Sequence, residues 1–154
     1  MTTARSAVPF ADREAIRNLT IKYTYFADAD DFDLLGTLFV PDAVWDGTAV
    51  GLGRQESTEA MLRMMQEMGR SAKVGGGHHM VNHLIDWVDG NSAEGHCYFF
   101  SEILTKTDEV RHGTGYYDDK YIRTTGGWKF RERALHALLP PRLVALGETK
   151  LIRP

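Results

Sequence analysis

The chain has one cysteine, Cys97, so no internal disulfide can staple it, and this fits a protein of a reducing cytoplasm. It lacks any apolar run approaching the roughly 18 residues of a membrane span. Its opening, MTTARSAVPF, lacks the apolar segment of a signal peptide, so neither a membrane protein nor an exported one is expected. A basic excess is missing too: 18 Lys and Arg against 21 Asp and Glu give a net charge of −3, and the cations are scattered. Nucleic acid is therefore not expected as a partner. Internal repeats and low-complexity linkers are also lacking. What remains is a chain of 154 residues, 43% apolar and 25% charged, both near globular averages. That length is enough to bury one core, and the expectation is a single domain over 1–154.

Apolar periodicity divides the chain in two. In DREAIRNLTIKYTYFADADDFD, residues Ile16, Leu19, Tyr23, Phe26 and Ala27 recur at spacings of three and four, which predicts an amphipathic helix with Asp12 as N-cap. The acidic cluster Asp28-Ala29-Asp30-Asp31 then turns the chain into a short second helix carrying Leu34, Leu35 and Leu38. Pro41 is expected to end it, before a brief strand at AVWDGT. A third helix is expected over 57–68, with Met61, Leu62, Met64 and Met65 as a flexible apolar face, closed by Gly69 and the glycines at 75–77. Thereafter the pattern alternates over 78–88, 92–105, 110–124 and 127–138, with turn chemistry at VDGNS and TTGGW. Three helices followed by an antiparallel meander make an α+β domain. A strongly curved sheet covered by helices on one face forms a cone with an internal cavity.

The stretch VGGGHHMVNHLIDW places three of the six histidines within six positions. On a strand, His79 and His83 stand roughly 13 Å apart, too far to share one metal ion whose ligands must each lie about 2 Å away. No metal is expected. Strict alternation puts His79, Val81, His83, Ile85 and Trp87 on one mostly apolar, inward face and His78 on the other. An inward neutral imidazole is either a satisfied core histidine or a general base, and a carboxylate arriving at the same pocket would decide for the base.

The segments AIRNLTIKYTYFADADDFDLLGTLFVPDAVW, HHMVNHLIDWVDGNSAEGHCYF and GTGYYDDKYIRTTGGWKFRER together resemble the SnoaL-like family of the nuclear transport factor two-like superfamily. More narrowly they resemble its branch of scytalone dehydratase, lindane dehydrochlorinase and bile acid 7α-dehydratases. The resemblance covers a core of about 12–137, leaving 139–154 as a C-terminal extension. It implies a cone-shaped α+β barrel and a lyase of the dehydratase type, working without a cofactor on a hydrophobic, carbonyl-bearing or polycyclic, steroid-like molecule. It implies that Asp28 orients His79 as the base, with Tyr23 and Glu102 assisting. Trp45, His83 and Tyr117 are expected along the substrate cavity, and Asp119 to pair with arginines on adjacent strands. Ala27 and Gly47 replace tyrosines of scytalone dehydratase, and His96 falls too early for its second histidine, which argues against scytalone itself. An isomerase or cyclase using the same dyad, or a non-catalytic binding or assembly module, are the rival readings. Trimeric relatives imply a homo-oligomer, a trimer before a dimer.

Overall fold

The computed structural model describes residues 8–145, and their side chains except at 70–73, 87–89 and 145. Trp87 of the expected inward face, the first seven residues and the end of the C-terminal extension thus lie outside the described set. Helix α1 spans Phe10–Asp28 and buries Ile16, Leu19, Thr20, Tyr23 and Thr24, one stripe at helical spacing. Asp12 does not cap it. The N-cap is Pro9, and the Asp12 carboxylate instead reaches across the fold to accept from Trp128 Nε1 at 3.1 Å and from Arg123 at 2.6 Å. Helix α2, Phe32–Thr37, is capped by Asp31, which accepts from the Leu34 amide. It ends before Pro41, which lies on an exposed position inside strand β1, Phe39–Asp46. The short β2, Arg54–Gln55, precedes α3, Thr58–Ala72, where the Ser57 hydroxyl accepts from the Ala60 amide. Gly69 does not stop α3, which continues through it.

Four long strands follow: β3 Lys73–Asp89, β4 Ser92–Thr105, β5 Glu109–Thr124 and β6 Gly127–Ala137. The glycines at 75–77 belong to β3, so the alternating part starts earlier than the pattern predicts. The sheet order is β2-β1-β6-β5-β4-β3, with β1 running parallel to β6 and every other pairing antiparallel, and β7, Arg142–Ala145, added against β5. The architecture is α+β, with N-terminal helices packed on a mixed, mainly antiparallel sheet. Ile16, Leu35, Met61 and Phe130 are almost fully shielded between helices and sheet, and each such side chain contributes about 1.5–3 kcal/mol. Among the described residues, no helix is long and apolar enough to cross a membrane.

One irregularity in β3 overturns the expected facing of the histidines. Pairing with β4 slips between Val81 and Leu84, and Asn82 takes φ 51°. An extra residue in one strand reverses its alternation from there on. Beyond the bulge, His83 and Ile85 face the core as expected. Before it, His78 and Met80 face inward, and His79 and Val81 face outward.

Candidate active site

The sheet edge and the end of α1 create the central contact. β3 is the last strand of the sheet, so alternate backbone N–H groups along it point away from β4 and need another partner. At His78 the partner is Asp28, the last residue of α1: Asp28 Oδ2 accepts from the His78 amide at 2.8 Å. The other carboxylate oxygen, Oδ1, lies 2.7 Å from His78 Nδ1. A carboxylate only accepts, so Nδ1 carries the proton, and in the neutral ring Nε2 has the lone pair. Asp28 thus grips both the backbone and the ring of one residue, which fixes the tautomer and the orientation together.

Gly77 makes room for this grip, and Gly76 for the close approach of β4. A Cβ on Gly77 would stand 2.9 Å from Asp28 Oδ2, so a side chain there would push the carboxylate off the strand. Gly76 has φ 109°, and a Cβ on it would overlap the Glu102 carbonyl oxygen at 1.9 Å, so only glycine fits.

His78 lines a cavity of about 630 Å³ between the sheet and the helices, open to solvent on one side. Tyr23, Trp45, Met65, Phe99, Tyr117 and Leu135 make most of its wall apolar and aromatic. Tyr23, Trp45 and Tyr117 are each at most 3% exposed. Tyr23 and Tyr117 meet edge to face, with ring centroids 6.1 Å apart, and their hydroxyls are hydrogen-bonded to each other. Burial holds the Tyr117 hydroxyl well above its ordinary pKa, so it stays protonated and able to donate.

Behind these tyrosines lies a fully buried ion pair. Arg133 donates from Nε and from one Nη to the two oxygens of Asp119, both at 2.8 Å. The rings of Tyr23, Tyr117 and Phe130 surround its guanidinium at 4.2, 4.2 and 4.3 Å. Burial alone would weaken the charge of Arg133, but the Asp119 carboxylate more than offsets this and raises its pKa. Asp119 also accepts from the Tyr121 hydroxyl at 2.8 Å, and that oxygen lies 3.0 Å from His83 Nε2. Because Tyr121 gives its only proton to Asp119, His83 is the donor to Tyr121. The sequence pointed to an ion pair at Asp119; it did not single out Arg133.

The site residues expected from sequence separate into three groups. Tyr23, Trp45 and Tyr117 line the cavity, and Asp28 holds a histidine at its wall. That histidine is His78 and not His79, a correction whose cause is the bulge at Asn82. His79 stacks outside on Phe100, centroids 4.5 Å apart. Glu102 is also corrected: it lies exposed on the outer face, 3.3 Å from His112 Nδ1, with Ser101 and Ile103 facing the cavity in its place. His83 faces inward but belongs to the Tyr121–Asp119 network and does not line the cavity. Among the described residues, no three His, Cys, Asp or Glu side chains are grouped to hold a metal ion.

Helices packed on a mainly antiparallel sheet, with an imidazole–carboxylate pair at the wall of an apolar cavity, define a class of small α+β proteins. Residues 9–134 match the model of the SnoaL-like domain, and the chain belongs to that family. An uncharacterized protein of Mycobacterium tuberculosis is 30% identical over 132 residues, 83% of this chain and 86% of that protein. Among solved structures, a candidate aromatic ring hydroxylase of Novosphingobium aromaticivorans is similar with a TM-score of 0.84 at 24% identity, covering 90% of this chain and 96% of that one. A candidate scytalone dehydratase of the same organism gives 0.77 at 22% identity, covering 84% and 85%. The hexachlorocyclohexane dehydrochlorinase of Novosphingobium barchaimii gives 0.79 at 19%, covering 94% and 96%. At these identities the structures share the fold.

Proposed function

We propose that the chain is a cofactor-independent lyase that dehydrates a hydrophobic, carbonyl-bearing or polycyclic substrate, with His78 as general base and Asp28 as its partner. The observation that carries this reading is the 2.7 Å contact between His78 Nδ1 and Asp28 Oδ1 at the wall of the aromatic cavity. His78 Nε2 takes the proton from the carbon next to the substrate carbonyl, and Asp28 stabilises the imidazolium that forms. Within the hydrogen-bonded Tyr23–Tyr117 pair one hydroxyl donates to the other, and the remaining proton is the donor for the enolate oxygen. Collapse of the enolate expels the β-hydroxyl, which leaves as water with the proton returned from His78. Every proton and electron pair in this sequence comes from the substrate or the side chains. Solved relatives named for dehydration and dehydrochlorination support an elimination on this fold.

The test is incubation with a panel of polycyclic β-hydroxy ketones, followed by mass spectrometry of the products. Elimination lowers the substrate mass by one water, and Asp28→Asn is expected to slow it by about 10²–10⁴-fold. Turnover at unchanged mass would identify an isomerase or cyclase. Turnover that survives Asp28→Asn unchanged would refute the dyad.

A further inference from the structure

Among the described residues, the cavity wall contains one cation that the dyad chemistry does not use. Arg111 lies on β5 in the same alternation as Gly113 and Tyr117, so it belongs to the concave face, and it both lines the cavity and is exposed to solvent. Those two properties place it at the cavity mouth. The next pair along the ladder, His112 and Glu102, makes its contact on the opposite face of the sheet. Among the described residues the Arg111 side chain makes no hydrogen bond or ion pair. The other arginines of the four long strands, Arg123, Arg131 and Arg133, are each paired with a carboxylate.

Strand register fixes its position relative to the dyad. His78 pairs with Ser101 and Ser101 with Gly113, so the three lie in one row across the sheet, and all three line the cavity. Gly113 keeps that row open: a Cβ on it would meet the Ser101 hydroxyl at 2.7 Å. Arg111 sits two residues beyond Gly113 along β5. Two interstrand spacings and two residue rises put its Cα about 12 Å from that of His78. A small fused-ring skeleton bridges such a gap.

We propose that the substrate carries an anionic group, a carboxylate, at the end opposite its reacting carbonyl, and that Arg111 reads this group at the cavity mouth. The proposal rests on the reading of His78 and Asp28 as the reacting end of the same site. Asp30 also lines the cavity, but among the described residues no carboxylate pairs with the Arg111 side chain, and a guanidinium so placed favours an amphipathic acid over a neutral molecule of equal size, because a charged ligand oxygen supplies an acceptor.

The experiment uses 1-pyrenebutyrate and its methyl ester, which share one aromatic body and differ in charge, titrated by pyrene fluorescence at low ionic strength. Neither can undergo the elimination, so binding is read independently of turnover. The wild-type protein is expected to bind the acid about tenfold more tightly than the ester, with the difference shrinking as salt is added. Arg111→Gln should bring the ratio close to one while leaving ester affinity within about twofold, and Arg111→Lys should retain part of the preference. Asp28→Asn should keep the full preference, which separates this idea from the dyad: turnover lost with the preference intact supports both readings. Equal affinities for acid and ester in the wild type, a preference that survives Arg111→Gln, or failure to bind either compound would each overturn it.

Discussion

Between the helices and the sheet, His78, His83, Arg133, Asp28 and Asp119 are each held by a specific partner. On the convex face the same residue types stand in water. Arg133 and Asp119 are wholly buried in a bidentate pair, and His78 is gripped twice by Asp28. Outside, Asp118 is shared between His96 and His136, all three side chains more than 40% exposed. Val81, Leu84, Tyr98 and Phe100 are also largely solvent-facing there. The difference is one of dielectric surroundings. A buried charge that loses its partner cannot be rescued by water, whereas an exposed one can.

The sharpest way to break the comparison is to orphan the inner pair. Arg133→Met leaves the Asp119 carboxylate buried without its counterion and is expected to cost about 3–5 kcal/mol in urea denaturation. Adding Asp119→Leu should recover much of that loss. His96→Asn on the outer face should cost under ~1 kcal/mol. Equal costs for Arg133→Met and His96→Asn would end the distinction between the faces.

Next in size is the contrast between two adjacent histidines. His78→Gln removes the inward imidazole and should lower kcat by about 10²–10⁴-fold, with the unfolding midpoint little changed. His79→Gln removes a ring stacked on Phe100 at the surface and should leave kcat nearly unaltered. The reverse result would restore His79 as the base and require a different register in β3.

That pair of residues also shows where the sequence was legible. Helix and strand order, the α+β class and the approach of Asp28 to a histidine of GGGHH followed from periodicity and resemblance, because burial of an amphipathic stripe leaves a mark every few residues. Which histidine faces inward depends on one bulge, and Asn82 looks like any strand asparagine until its positive φ is known. Asn is among the residues that tolerate that conformation, so its place amid β-branched and apolar neighbours was the available signal. Glu102 was misplaced by one position on a strand, which is enough to exchange faces. Arg133 escaped notice because a charged residue in an alternating strand reads as solvent-facing; its burial depends on three aromatic rings and one aspartate from elsewhere in the chain.

Gly77→Ala probes the grip itself. The added methyl would stand 2.9 Å from Asp28 Oδ2, and because that oxygen ends a side chain it can swing away at small cost in stability. The His78 amide and ring would then lose their shared acceptor. Activity is expected to fall by up to about 10²-fold while the unfolding midpoint barely moves, since small misplacements of a catalytic group carry losses of that order. A variant as active as the wild type would show that Asp28 need not touch the strand.

The smallest effect is the pH dependence carried by the other inward histidine, His83. Burial lowers the His83 pKa from 6.5 to about 4; Asp119 opposes the shift, while Arg133 and Arg17 add to it. His83 already donates its Nε2 proton to Tyr121, and charging the ring would place a cation among groups tied to Arg133. The unfolded chain takes up the proton near pH 6.5 and the folded chain only near 4, so between those values the unfolded state binds more protons. The stability contributed by neutral His83 is therefore complete above about pH 6.5 and is lost as pH falls toward 4. With partial solvent access reducing the effect, the loss is on the order of 2 kcal/mol. Urea denaturation of the wild type and of His83→Gln from pH 7 to pH 4.5 measures it as the difference between two curves, so that carboxylates titrating in both cancel. The wild type should lose more stability than the variant across that window, and parallel curves would mean that His83 charges as readily inside the fold as outside it.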